Sequence, residues 1–295
     1  MTQSHYKNLS DRWRARNQDL QRKLWSKHKE SLDWLSNNYR QFVAGSLGGL
    51  ILLTGQTANP QPFLPLASAS ESGVQKVDKK IFLISDLANV LPHEVRILNS
   101  EEEQKISDIL SRTYGIKVVA ELEGKRLNRS YGLIGAEQHL VRYPGDVLST
   151  HFDPPAGGGG DDRNLHWQSG MASGLGAWGY FASSKEELTD LDKDREKYYI
   201  AVQTFLSKDF NKRVSEYRDF YKYRKMLVVN PNNGLTIVAD IADAGPAEWT
   251  GKHLGGSPEV MHYLERFDGS LKGPVLYFFI DDPDDKIKLG PINPY

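Results

Sequence analysis

The residues with the most chemical potential in this chain of 295 crowd into one short stretch, GAEQHLVRYPGDVLSTHFDPP, which holds Glu137, His139, Asp146, His151 and Asp153. Two histidines and an aspartate are a sufficient donor set for a zinc ion that activates water. His139, His151 and Asp153 therefore define one reading, a zinc-dependent hydrolase. The spacing fits no common zinc motif, since His-Glu-x-x-His is missing. Loop histidines and aspartates more often make local hydrogen bonds, so the overall expectation is no bound metal and no cofactor.

A second candidate is Asp243, which closes the apolar run Leu235–Ala242 just ahead of Gly245-Pro246. In a strand it shares parity with Leu235, Ile237 and Ile241, which sets it at the edge of a barrel interior. Desolvation there raises a carboxyl pKa and makes it a general acid. The competing reading is an aspartate that merely accepts backbone N–H bonds in a turn. Glu248, Trp249, Lys252 and His253 follow within ten residues. Trp249 is the candidate sugar-stacking platform, Lys252 and His253 are candidate sugar contacts, and Trp178 in GAWGYF is a second platform, although aromatics in such runs usually fill cores. Other chemistries fare worse. Ser173 in GMASG is displaced by one from a nucleophile elbow, and the glycines at 157–160 and 174–176 lack the strand–turn–helix setting of a phosphate loop. There is no cysteine, which excludes disulfides, thiolate nucleophiles and cysteine-based metal sites.

The elements that must position Asp243 are legible nearby. Lys225–Asn230 reads as a strand, Pro231-Asn232-Asn233-Gly234 as a hairpin turn, and Leu235–Ala242 as the returning strand. Ser257-Pro258-Glu259 starts a short helix with Ser as N-cap and Pro at the first helical position. Val275–Ile280 closes as a strand. This order, VxNxxNGxxxxxxIxDxGP followed by a Gly-Lys turn, a Ser-Pro helix and a final strand, resembles the double-psi β-barrel of the rare-lipoprotein-A, expansin and lytic transglycosylase group. The resemblance covers residues 223–282. It implies a protein that binds, and in its catalytic version cleaves, the glycan strands of peptidoglycan, with Asp243 as acid/base; the alternative it leaves is a non-catalytic, expansin-like binding module. Catalytic relatives carry a second Asp about a dozen residues on. Here that place falls on Gly255.

Upstream, Ile81–Ile84 is a strand candidate, Ser100 to Gly115 a helix with an acidic first turn, and Ile116–Leu122 a strand. The segment around Glu196–Tyr223 reads as helical. Residues 1–40 carry nine Lys+Arg against four Asp+Glu, residues 41–70 carry no charge, and residues 71–295 have a net charge of −6. An acidic folded part argues against nucleic-acid partners.

Phe42 to Leu53 (FVAGSLGGLILL) is apolar but shorter than the roughly 20 residues of a comfortable bilayer span. With its uncharged flanks it reads as a membrane-inserting stretch or signal h-region, and Ala67-Ser68-Ala69 offers a signal-peptidase pattern. The alternative is a buried core helix. The positive-inside rule then puts residues 1–40 in the cytoplasm. The resulting expectation is an α+β protein of the cell envelope, extracytoplasmic and either anchored or secreted. It comprises a basic segment (1–40), an inserting stretch (41–58), a Pro/Ser linker (59–79), a small α/β region (80–125) and a β-rich domain with a double-psi β-barrel core (126–295). Its partners are a cell-wall glycan and, through the N-terminal segment, the membrane.

Overall fold

The computed structural model describes residues 79–151, 167–266 and 272–295. The basic segment, the inserting stretch, nearly all of the linker, and Asp153 with the glycine-rich run after it lie outside the described residues. Among the described residues, no helix is long and apolar enough to cross a membrane.

The strands assemble into a closed, six-stranded mixed β-barrel. Its members are β4 (Tyr131–Ala136), β5 (Tyr199–Val202), β6 (Lys225–Val229), β7 (Thr236–Ala244), β8 (Leu254–Gly256) and β9 (Lys272–Ile280). Around the barrel, β4 pairs with β8 in parallel, β8 with β5 antiparallel, β5 with β7 in parallel, and β7 with β6, β6 with β9 and β9 with β4 antiparallel. Closure leaves the barrel strands no long unpaired edge. The hairpin and closing strand expected at 225–242 and 275–280 are present, as is the helix Pro258–Tyr263, whose N-cap Ser257 accepts from Val260 N at 3.1 Å.

The barrel is apolar on both faces, which explains why its strands read as continuous runs such as KMLVV and YFFI. Met226, Val228, Ile237, Ala239, Ile241, Val275, Tyr277 and Phe279 belong to one core cluster. The alternate residues Leu227, Val229, Val238, Leu276, Phe278 and Ile280 pack outside it against two helices, α1 (Lys79–Ala88) and α2 (Ser100–Tyr114). Short strands β1 (Val118–Val119) and β10 (Gly290–Ile292) extend the sheet along β9 and β7, and β2 (Glu121–Leu122) pairs with β3 (Lys125–Arg126).

Three expectations are corrected. Ile81–Ile84 is helical, because Leu83 and Leu87, four apart, are the positions that face the barrel, and a short apolar run carries no period of its own. The strand expected at Ile116–Leu122 is interrupted, with only 118–119 and 121–122 paired. The segment from Glu196 to Tyr223 is not one helix. It holds β5, a barrel strand, then 3-10 turns, then α5 (Val214–Tyr221). Every residue of Tyr199–Val202 is buried, so no alternation marked it as a strand. The helix expected from Ser100 is present at 100–114, and its N-cap is Asn99. Asn99 and Glu102 form a reciprocal capping box, and Gly115 ends the helix at φ 66°.

Candidate active site

Asp243 lies one residue from the end of β7, where the ladder with β5 slips. Ile200 pairs with Ile241 and Ala201 with Asp243, leaving Ala242 as a bulge. Bulges of this kind re-aim the following side chain. Asp243 is half-buried, and its Oδ1 accepts from Ala177 N at 2.7 Å and from its neighbour Ala244 N at 2.8 Å. Burial pushes the carboxyl above its ordinary range, against the pull of those two N–H groups. It is thus a fastener of the 176–178 loop whose carboxyl gives up its proton less readily than an ordinary aspartic acid.

A second carboxyl arrives from an unexpected strand. Gly255 pairs with Gly135 across the parallel β4–β8 ladder, and Glu137 follows directly, its N–H donating to Gly256 O at 2.9 Å. Its side chain folds over Gly255. A Cβ placed there would stand 2.5 Å from Glu137 Cγ, 2.8 Å from Cδ, and closer still to Oε1. Glu137 therefore fills the space left by the absent side chain of Gly255. Burial raises its pKa, Lys252 pulls it down through a 3.2 Å contact, and the Asp243 carboxylate raises it further. Lys252 Nζ also donates to Ala136 O at 2.7 Å, which sets the ammonium beside the glutamate.

The remaining candidates divide. Trp178 sits beside the Asp243 contact, with its indole N–H donating to Ile241 O at 2.9 Å and its ring packed partly against the core. It lines an open cleft with Arg218 and Lys222. Glu248 is exposed, and Trp249 is 88% exposed, on a single 3-10 turn after Gly245-Pro246. His253 is tied to β4. Its Nδ1 accepts from Leu133 N at 3.0 Å, and burial with nearby Arg129 and Lys272 lowers its pKa.

The histidine-rich stretch folds into a buried cluster. His139 lies just beyond β4, His151 ends α3 (Leu148–His151), and Glu196 sits on α4 (Asp190–Lys197). His139 Nδ1 is 3.3 Å from Glu196 Oε1 and His151 Nε2 is 2.8 Å from Glu196 Oε2. Asp146 meets His151 Nδ1 at 3.2 Å and is clamped by Arg142 through Nε at 2.9 Å and Nη2 at 3.1 Å. Asp153 lies outside the described residues, and among these Glu196 is the carboxylate that joins the histidines. Nothing in the sequence marked it, because its partners lie 45 and 57 residues away. Between the two groups stands Tyr199, wholly buried, its hydroxyl donating to Gln138 O. Burial drives its pKa well up, and Glu196, Glu137, Asp243 and Glu259 all add to the shift.

Compared with known proteins, the chain matches no family model, no curated protein and no solved structure.

Proposed function

We propose that this barrel is of the double-psi type and that it binds and cleaves a cell-wall glycan, with Asp243 as general acid and Glu137 as the second carboxylate. The observation that carries this reading is the placement of Glu137 over Gly255. Glycoside cleavage by paired carboxyls requires one group that protonates the leaving oxygen and one that acts as base or stabilises the oxocarbenium-like transition state. Asp243, half-buried and inclined to hold its proton, suits the first role. The pKa of Glu137 is also raised by burial, but it alone of the two has an ammonium, Lys252, that favours its ionised form, and this suits it to the second. Trp249 supplies an exposed ring on which a sugar face can stack. In the reaction the Asp243 proton passes to the glycosidic oxygen as its bond to the anomeric carbon breaks, Glu137 takes a proton from the water whose oxygen bonds to that carbon, and exchange with solvent returns the proton to Asp243.

The setting that goes with this reading is extracytoplasmic, with the protein held to the membrane or released from it through residues 41–58. The test is release of soluble muropeptides from purified sacculi by wild type, Asp243→Asn and Glu137→Gln. Loss of release in both variants with retained sacculus binding supports the pair. Binding without release, in the wild type as well, makes the barrel an expansin-like module, which the two backbone hydrogen bonds on Asp243 would then explain.

A further inference from the structure

We propose that His139, His151 and Glu196 bind a divalent metal ion of the zinc class, at a site separate from the Asp243–Glu137 pair. The three donor atoms lie within 4.8 Å of one another, and all three residues are buried. Donors of a tetrahedral zinc site, with bonds of about 2.1 Å, stand roughly 3.4 Å apart. The His–Glu contacts of 3.3 and 2.8 Å, one to each carboxylate oxygen, and the 4.8 Å outer limit of the donor set bracket that spacing, so side-chain adjustments of roughly 1–1.5 Å admit an ion. The imidazole rings of His139 and His151 are tilted by 50° with centroids 4.8 Å apart, close together without being stacked.

Three further features are those expected around a metal site. Asp146 meets Nδ1 of His151, which leaves Nε2 as the atom directed at Glu196, and a carboxylate behind a ligand histidine is the usual device for fixing its ring. Arg142 in turn holds Asp146 with both a backbone and side-chain N–H groups. Leu140 N donates to Glu196 Oε1 at 3.0 Å, which orients the glutamate. Finally, Glu259 is nearby, with its Oε2 buried and without a hydrogen-bond partner. Glu259 thus offers one further buried carboxyl oxygen close to the cluster. The ligands come from the strand exit after β4, from α3 and from α4, so the ion would tie both helices to the segment that carries Glu137.

The experiment uses the full chain, stripped with chelator and dialysed, then titrated calorimetrically with Zn²⁺ alone; melting temperature and bound metal after desalting are measured in parallel. The expected result is one ion per chain and a rise in Tm of several degrees. His139→Ala and Glu196→Gln should abolish uptake, and Asp146→Asn should weaken it roughly ten- to a hundred-fold. If those variants do not fold, Co²⁺ substitution of the wild type decides, since histidine-ligated cobalt gives intense visible d–d bands. Absence of zinc uptake, absence of those bands, or uptake unchanged in folded His139→Ala would overturn the site. Metal uptake is read without any glycan, so its failure leaves the carboxylate-pair reading intact.

Discussion

Asp240 offers the sharpest thermodynamic test of how this barrel is built. It lies in the middle of β7, opposite Lys225 of β6 and Tyr199 of β5, and is 1% exposed. Neither carboxyl oxygen has a hydrogen-bond partner, and the nearest cation, Arg195 Nε, is 3.8 Å away. That arginine is shared with Asp192 at 3.6 Å and with the Tyr223 ring at 4.2 Å. Burial accordingly drives the Asp240 pKa well above its ordinary value, with Arg195 and Lys225 pulling weakly against it.

The sign follows directly. The folded state keeps the proton that the unfolded chain loses near pH 4, so the contribution is complete below about pH 4 and lost as pH rises toward the folded pKa. Within that window stability falls by about 1.4 kcal/mol per pH unit. The amide introduced by Asp240→Asn cannot titrate. The stability of this variant minus that of wild type should therefore grow by about 1.4 kcal/mol per pH unit from about pH 4 upward, then level off. At roughly 2–4 °C per kcal/mol for a domain of this size, this is roughly 3–6 °C per pH unit. The offset at pH 4 is small, because a neutral carboxyl and an amide both leave polar atoms unpaired. Urea titrations of both proteins from pH 4 to 8 read the slope. A difference independent of pH, or one that shrinks as pH rises, would refute this account of Asp240.

Other expectations are simpler. Gly255→Ala forces Glu137 out of its position, breaking a partly exposed ion pair worth at most about 1 kcal/mol. It should lower Tm by only a few degrees while abolishing glycan release as fully as Glu137→Gln, and release equal to wild type would contradict the pair. Leu83→Ala empties a fully buried site between α1 and the barrel and should cost about 2–5 kcal/mol by chemical denaturation. Asn99→Ala removes the α2 capping box and should cost about 1 kcal/mol in the same assay. Protease added to spheroplasts should digest residues 80–295, whereas complete protection would place the barrel inside.

What the sequence determined by itself was local. The hairpin at 225–242, the Ser257 cap, the α2 helix and the strand at 275–280 each depend on neighbours within a few residues, through turn chemistry, capping or an unbroken apolar run. Asp243 was visible for the same reason, as a charged residue ending such a run. Pairing over distance was not visible. β5 has four buried residues and no period, so only its neighbours β7 and β8 make it a strand. Glu137 reads as one acid in a crowded stretch until the parallel ladder sets its chain beside Gly255, where the missing side chain leaves room for it. Glu196 joins His139 and His151 only because the fold brings α4 to the strand exit after β4. Both carboxylates acquire their chemistry from desolvation and from partners far along the chain, and no local pattern encodes either.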